Sequence, residues 1–342
     1  MISFVSAGKD IENLVLKNLQ EDVPIVNEPF KVIAQDIETD EEEIITVIND
    51  LKGKRIIRQI SPIYDTRMLG YDSLLVAFKV RAEALEGAAL LVSSHPCVSH
   101  NYERGHEFNL WFTIAVPPDS RIGADKTVSL LAEKGGAEGY AVMRSKRSFK
   151  IGVKLDAESS CLDREDVVVR RLSITPLTEE EKLIIRVTQA DMPVCSRPFS
   201  VYAGELCMEE YELIEKLREF KERGVMRRFA AVLNHRKAGF SANGMVVWNV
   251  SEGLVDEVGL RIASFKAVSH CYERTTSGVW RYNLFSMMHA RTRDELDDVI
   301  TGIREETGMG DYAVLYSSRE FKKKRIQYFT GELHAWEKAF TA

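Results

Sequence analysis

The chain has 342 residues, 45% of them hydrophobic and 29% charged, with a net charge of −6. This is the composition of a water-soluble globular protein with room for two to four ordinary domains. The acidic balance disfavours a dedicated nucleic-acid binder, and no apolar run approaches the roughly 18 residues of a membrane helix. The N-terminal Met1-Ile-Ser-Phe4 has no basic region or long apolar stretch of a secretory leader. Five scattered cysteines, Cys97, Cys161, Cys195, Cys207 and Cys271, form no CxxC pair, which fits reduced thiols in a cytoplasmic protein.

In chain order, Ile11 to Leu19 has a short helical pattern, and Phe30 to Ile37 a second one after Pro24 and Pro29. Thr39 is placed to cap a third helix, whose first turn holds Glu41, Glu42 and Glu43 and which Gly53 ends. Ile56 to Ile60 reads as a strand, so residues 1–62 form a winged helix-turn-helix. Ser73–Val80 is a buried strand, residues 81–94 a helix, and Cys97–Arg104 and Asn109–Val116 two hairpin strands around Gly105–Phe108. A helix over Asp125–Lys134 and a strand from Tyr140 to Val153 complete a βαββαβ, ferredoxin-like order over 63–155.

The series then repeats. Asp22-Val-Pro-Ile-Val-Asn-Glu-Pro-Phe30 returns as Asp191-Met-Pro-Val-Cys-Ser-Arg-Pro-Phe199, and Val98-Ser-His-Asn-Tyr-Glu-Arg104 as Val268-Ser-His-Cys-Tyr-Glu-Arg274. Tyr140-Ala-Val-Met-Arg-Ser-Lys-Arg-Ser-Phe149 returns as Tyr312-Ala-Val-Leu-Tyr-Ser-Ser-Arg-Glu-Phe321. A charged connector over 156–177 leads to a second winged helix-turn-helix over 178–232 and a second ferredoxin-like domain over 233–342. The expected fold class is therefore α+β: a tandem repeat, folded as a fused dimer about a pseudo-two-fold axis. Fusion also leaves room for further self-association of the whole chain.

This order of domains resembles the Lrp/AsnC transcriptional regulators, in which the second domain dimerises and binds small molecules. A reading helix needs cations and amides toward DNA. Here Asp40–Asp50 and Met208–Glu219 are acidic, so DNA reading is not expected, and Lys322-Lys-Lys-Arg325 reads as a solvated strand end.

The candidate chemistry follows the winged helices. Arg58 and Arg67 precede Gly70 and Tyr71 in the first half; Arg227, Arg228, Asn234, His235, Arg236 and Gly239 occupy the same stretch in the second. Strand alternation puts His100, Tyr102 and Arg104 on one face, and His270, Tyr272 and Arg274 on another. His106 and Asn109 lie in and after the first hairpin. Arginines in an acidic chain suit a polycarboxylate ligand, and histidine or tyrosine suits proton transfer. Bland roles compete: Trp111, Phe112 and Trp248 suit cores, Glu103 and Glu273 ion pairs, His95, His289 and His334 structural sites, and Gly70 and Gly239 backbone turns.

The string Arg227-Arg-Phe with Asn234-His-Arg-Lys-Ala-Gly-Phe240 and Met245-Val-Val-Trp248, together with His100-Asn-Tyr-Glu-Arg104 and Asn109-Leu-Trp-Phe-Thr113, resembles the siroheme decarboxylases over almost the whole chain. Those relatives of the Lrp/AsnC group act as paired subunits, and each half here resembles one subunit. The resemblance implies that siroheme loses CO2 from two acetate side chains, giving 12,18-didecarboxysiroheme. It implies arginines on carboxylates, with Asn109 and Gly239 beside them, and His100, Tyr102, His106, His235, His270 or Tyr272 as proton donors. No cofactor is implied beyond the iron tetrapyrrole itself, and an axial iron ligand is left open among His100, His106, His235 and His270. Thr66 stands where the second half has His235, so two unequal clefts are expected, one of them holding substrate. The competing expectations are a tetrapyrrole-binding regulator without catalysis and an Lrp-type DNA-binding regulator.

Overall fold

The computed structural model describes residues 3–151, 160, 162–167, 175–234 and 242–341. It divides into two compact units, each built from both halves of the chain.

The first unit holds residues 1–70, 172–237 and 327–330. Its first-half helices are α1 (Ser3–Glu21), α2 (Pro29–Asp36) and α3 (Glu41–Gly53), followed by strand β1 (Ile57–Tyr64). The second half gives α6 (Glu179–Thr188), α7 (Pro198–Leu206), α8 (Glu210–Glu222) and β6 (Met226–Leu233). Pro29 and Pro198 sit in the first turns of α2 and α7, where their missing N–H costs nothing. Asp40, not Thr39, caps α3, by accepting from the Glu43 N–H at 2.8 Å; the Thr39 hydroxyl instead bonds the Glu43 carboxylate.

The wing strand also departs from the sequence reading. β1 has no partner within its own half and pairs antiparallel with β6 of the other, Ile60 opposite Ala231. A lone strand leaves its backbone groups unmade, and the second copy supplies them. The repeated Asp-x-Pro segment locks this ribbon reciprocally. Asp22 accepts from Phe229 N–H at 2.9 Å while Val23 N–H donates to the Phe229 carbonyl at 2.6 Å. Asp191 accepts from Ile60 N–H at 2.9 Å while Met192 N–H donates to the Ile60 carbonyl at 2.7 Å.

The second unit holds residues 71–171, 238–326 and 331–342. Its first-half elements are β2 (Asp72–Val80), α4 (Leu85–Ser94), β3 (Val98–Arg104), β4 (Leu110–Val116), α5 (Ala124–Lys134) and β5 (Ala137–Ile151). The second half gives β7 (Ala242–Trp248), α9 (Val255–Ser264), β8 (Val268–Arg274), β9 (Leu284–Ala290), α10 (Arg293–Thr307), β10 (Tyr312–Lys323) and a last helix, α11 (Glu332–Thr341). The βαββαβ order is as expected, but the two sheets do not end separately. The long strands β5 and β10 pair across the halves, β5 with β8 and β10 with β3, and close an eight-stranded barrel. The two seams share one register and one pair of bulges: Ser145 opposes Arg274 as Ser317 opposes Arg104. This is the pseudo-two-fold relation within the unit.

Strand alternation gives the barrel two kinds of core. Leu74, Val76, Phe78, Phe112 and Ile114 pack outward with Ala88, Val92, Val128 and Leu131 of α4 and α5, and Val246, Trp248 and Leu284 do so with α9 and α10. Leu75, Ala77, Trp111, Met143, Met245, Val247, Phe285 and Leu315 form a third cluster on the inward face. Lys322, read as solvated, is half-buried and donates to the Ser93 and His95 carbonyls at 2.7 and 2.9 Å, the orphan acceptors at the end of α4.

Removing the Asp191 acceptor strands the Ile60 N–H, so Asp191→Ala should cost about 1–3 kcal/mol in urea unfolding, and Asp22→Ala a similar amount. A loss below about 0.3 kcal/mol for both would remove the clamp from the account. A second expectation concerns acid. His95 is fully buried, and burial, with Lys322 adding, pushes its imidazole down to about 3. Above pH ~6.5 neither state binds the proton; below it the unfolded chain does and the folded chain does not, so stability falls as pH drops from ~6.5 toward 3. The fall should be shallower in His95→Gln, as read by urea midpoints across that range.

Candidate functional site

Two places gather the residues singled out above, one in each unit. In the barrel, β3 and β8 each present a His–Tyr–Arg face inward. Tyr102 opposes Trp111 and His100 opposes Thr113, while the alternate Asn101 turns outward and donates to the Ala89 carbonyl of α4. His100 and Tyr102 have ring centres 6.1 Å apart with planes at 27°, and the Arg104 guanidinium lies 5.5 Å over the Tyr102 ring. The second face repeats this: His270 and Tyr272 are 6.1 Å apart at 23°, and Arg274 lies 4.9 Å over Tyr272. Nδ1 of each histidine is 2.9 Å from the preceding serine hydroxyl, Ser99 or Ser269. That bond leaves Nε2 as the atom that looks away from the strand.

The two arginines are the unusual members. Each donates one Nη1–H to a carbonyl on the seam strand, Arg104 to Leu315 at 2.6 Å and Arg274 to Met143 at 3.2 Å. In each the Nε is buried with no hydrogen-bond partner among the described residues, and no carboxylate pairs with either guanidinium there. Burial pulls both down to about 10, the neighbouring tyrosine opposing. A desolvated cation without an anion is costly.

At the hairpin end of the barrel, His106 accepts the Phe108 N–H at Nδ1, 3.1 Å, and its ring meets the edge of Trp280 at 5.5 Å. Trp280 comes from the longer second hairpin, is buried, and its indole N–H has no hydrogen-bond partner among the described residues. Burial lowers the His106 pKa, Glu107 opposing. Asn109 precedes β4. Its side chain bonds both the N–H and the carbonyl of Val80, at 3.0 and 2.8 Å, and Asn283 does the same to Val250 at 2.9 and 2.7 Å. It staples two strand ends through its amide oxygen and one of its two amide hydrogens.

The second place is the wing ribbon of the first unit. Asp65, unnoticed in the sequence, is buried at the exit of β1 and takes two of the expected ligand-binding arginines: Arg227 at 2.7 Å and Arg67 at 3.3 Å. Burial alone would raise its pKa, but Arg227 and Arg67 outweigh it and hold the carboxyl below its ordinary value. Gly70 follows at φ +80°, closing the turn in which its N–H reaches the Arg67 carbonyl. Arg228 donates to the Gln20 carbonyl at 3.2 Å, and Arg58 is exposed. His235, Arg236 and Gly239 lie outside the described residues. A short acidic side chain two residues before Arg67 was the available signal for Asp65.

Residues 68–150 and 237–322 match the AsnC-like ligand binding domain, and residues 12–58 and 181–227 match the siroheme decarboxylase NirDL-like HTH domain. The siroheme decarboxylase of Hydrogenobacter thermophilus is 51% identical over 95% of this chain and 96% of its own. The siroheme decarboxylase beta subunit of Methanosarcina barkeri, a protein of half the length, is 40% identical over 42% of this chain and 95% of its own. A crystal structure of the siroheme decarboxylase NirDL in co-complex with an iron-uroporphyrin III analogue superposes with a TM-score of 0.77 at 45% identity, covering 96% of this chain and 98% of that one. With both halves matched and near-complete coverage at this identity, the chain belongs to the siroheme decarboxylase family, in the form that carries two subunit-like halves on one polypeptide.

Proposed function

We infer that this chain is a carboxy-lyase that removes CO2 from the two acetate side chains of siroheme and releases 12,18-didecarboxysiroheme. The observation that carries the reading is the pair of buried guanidiniums, Arg104 and Arg274, each with an unmatched Nε and each aligned with a tyrosine and a histidine on one strand face. A planar polycarboxylate supplies the anions they lack.

In this reading the acetate C–C bond breaks, CO2 leaves, and the electron pair passes into the conjugated macrocycle. A proton then goes to the former acetate CH2 to make the methyl. His100 or His270 delivers it from Nε2, with Tyr102 or Tyr272 alongside and His106 or His235 as further donors. Arg104 and Arg274 hold carboxylates, helped by Arg58, Arg228 and Arg236. Arg67 and Arg227 act through Asp65 and position the turn at Gly70. The iron belongs to the substrate, with no further cofactor, and one of the four histidines can serve it as axial ligand. The thiols of Cys97, Cys195, Cys207 and Cys271 are free, in keeping with a cytoplasmic enzyme. No helix among the described residues is long and apolar enough to cross a membrane. The exposed face of α3 carries Glu42, Glu43, Thr46, Asn49 and Asp50, which disfavours a DNA-reading role.

Anaerobic incubation with siroheme, followed by mass spectrometry, should show loss of two CO2 masses. His100→Ala or His270→Ala, whichever face is productive, should slow this about 10²- to 10⁴-fold. Bound but unchanged siroheme would instead mean a sensor or carrier. Arg104→Met should leave the ligand-free protein about as stable in urea while weakening tetrapyrrole binding. If the guanidinium is only a strand staple, the variant loses about 1.5–3 kcal/mol of stability and binds as before.

A further inference from the structure

His100, His106 and His270 all lie in the barrel unit, and their ring nitrogens meet different partners. Those partners decide which nitrogen carries the hydrogen of the neutral imidazole. At the first hairpin, Nδ1 of His106 accepts the Phe108 backbone N–H at 3.1 Å. A ring nitrogen that accepts has no hydrogen of its own, so the hydrogen of His106 is on Nε2. His95 repeats this arrangement, its Nδ1 accepting the Cys97 N–H at 3.0 Å.

His100 and His270 hold the same place in the repeat. Each follows a register shift in its strand, His100 opposite Thr113 and His270 opposite Met287. Each also places Nδ1 2.9 Å from the hydroxyl of the preceding serine. The two serines differ in their second partner. Ser269 donates its hydrogen to the Met287 carbonyl at 3.1 Å. A carbonyl only accepts and the hydroxyl has one hydrogen, so Ser269 accepts from Nδ1–H, and Nε2 of His270 keeps its lone pair. Ser99 instead meets the Thr113 hydroxyl at 2.7 Å, with Thr113 Oγ1 3.5 Å from Nδ1 of His100. Two hydroxyls in series can point either way. With Thr113 donating to Ser99 and Ser99 to Nδ1, the His100 hydrogen is on Nε2; with both bonds reversed it is on Nδ1.

We propose that Thr113 is a positioning residue that makes His100 the reversible histidine of the barrel, while the Ser269 bond to the Met287 carbonyl locks His270 with its hydrogen on Nδ1. At Nε2 the neutral His270 can accept a hydrogen bond or bind iron, the neutral His106 can only donate, and His100 can do either as the Ser99 and Thr113 hydroxyls rotate. Their use on a tetrapyrrole rests on the siroheme reading above; the hydrogen positions do not.

The test is long-range proton–nitrogen NMR of the isotope-labelled, ligand-free full chain at about pH 8, where a histidine of ordinary pKa is neutral. Each ring is assigned by the signals lost in its His→Gln variant. His106 should show the same Nε2–H form as His95, His270 the Nδ1–H form, and His100 shifts averaged between the two. Met287→Thr should move His270 to the averaged pattern of His100, and Ser269→Ala should move it to Nε2–H, the form a free imidazole prefers. An Nε2–H form on His270 of the unaltered chain, or one and the same form on His100 and His270, overturns the inference. If Met287→Thr does not fold, Ser269→Ala decides, and an unmoved His270 overturns the inference there too. Siroheme is absent throughout, so a chain that shows these forms but leaves siroheme unchanged overturns the functional reading alone.

Discussion

The structure depends on unpaired strand edges. Each half of the chain ends its small sheet with an open edge at β3 or β8, and its helix-turn-helix with a strand that has no partner. In water such edges are open to other chains; in this protein the other half fills all of them. The β5–β8 and β10–β3 seams and the β1–β6 ribbon are three uses of one solution. Barrel closure also explains the buried arginines. Arg104 and Arg274 sit at the seams, where the long strand of one half crosses to the other, and each is tied to that strand's carbonyl. The inward face is thus assembled from both halves at once, and a cation can be held there without a local carboxylate.

Much of this was legible in the sequence because it is local. Period-2 alternation put His100, Tyr102 and Arg104 on one face, and the rings do stack along it. The βαββαβ order, the core role of Trp111 and Trp248, and the ion-pair role of Glu273 with Lys146 and Arg147 follow from pattern and residue type. What escaped is non-local. No period announces that β1 pairs with a strand about 170 residues away, nor that Asp65 captures Arg227 from the other half. The structural task of Asn109 also escaped: nothing in the sequence shows that Val80 meets both ends of its amide. Lys322, one of four consecutive cations, went unseen as a helix cap because its acceptors belong to α4 in the other half.

Duplication followed by fusion supplies two copies of every device, and selection then needs only one of them to be chemical. The conserved backbone of the repeat and its divergent side chains show where that freedom was used. The clamp Asp22/Asp191 and the strand staple Asn109/Asn283 are kept in both copies, where they tie strands together, and the buried Arg104/Arg274 are kept as well. Asp65 against Asn234, Thr66 against His235, and His106 against the Trp280 hairpin are different in the two copies. None of these three pairs carries a strand. Asp65, Thr66, Asn234 and His106 sit at a strand exit or hairpin, where backbone geometry tolerates many side chains.

Charge gives these differences a direction. One carboxylate beside two arginines makes a cluster that holds both guanidiniums in place and still carries a net positive charge. At the two ends of the ribbon the strand exits differ by one side-chain oxygen exchanged for nitrogen, Asp65 against Asn234, on a backbone that the pseudo-symmetry holds constant. A homodimer of one subunit cannot make that distinction, since both ends would carry the same residue. Two genes or one fused gene can, and the fused form fixes the pairing of unlike ends without relying on association between separate chains.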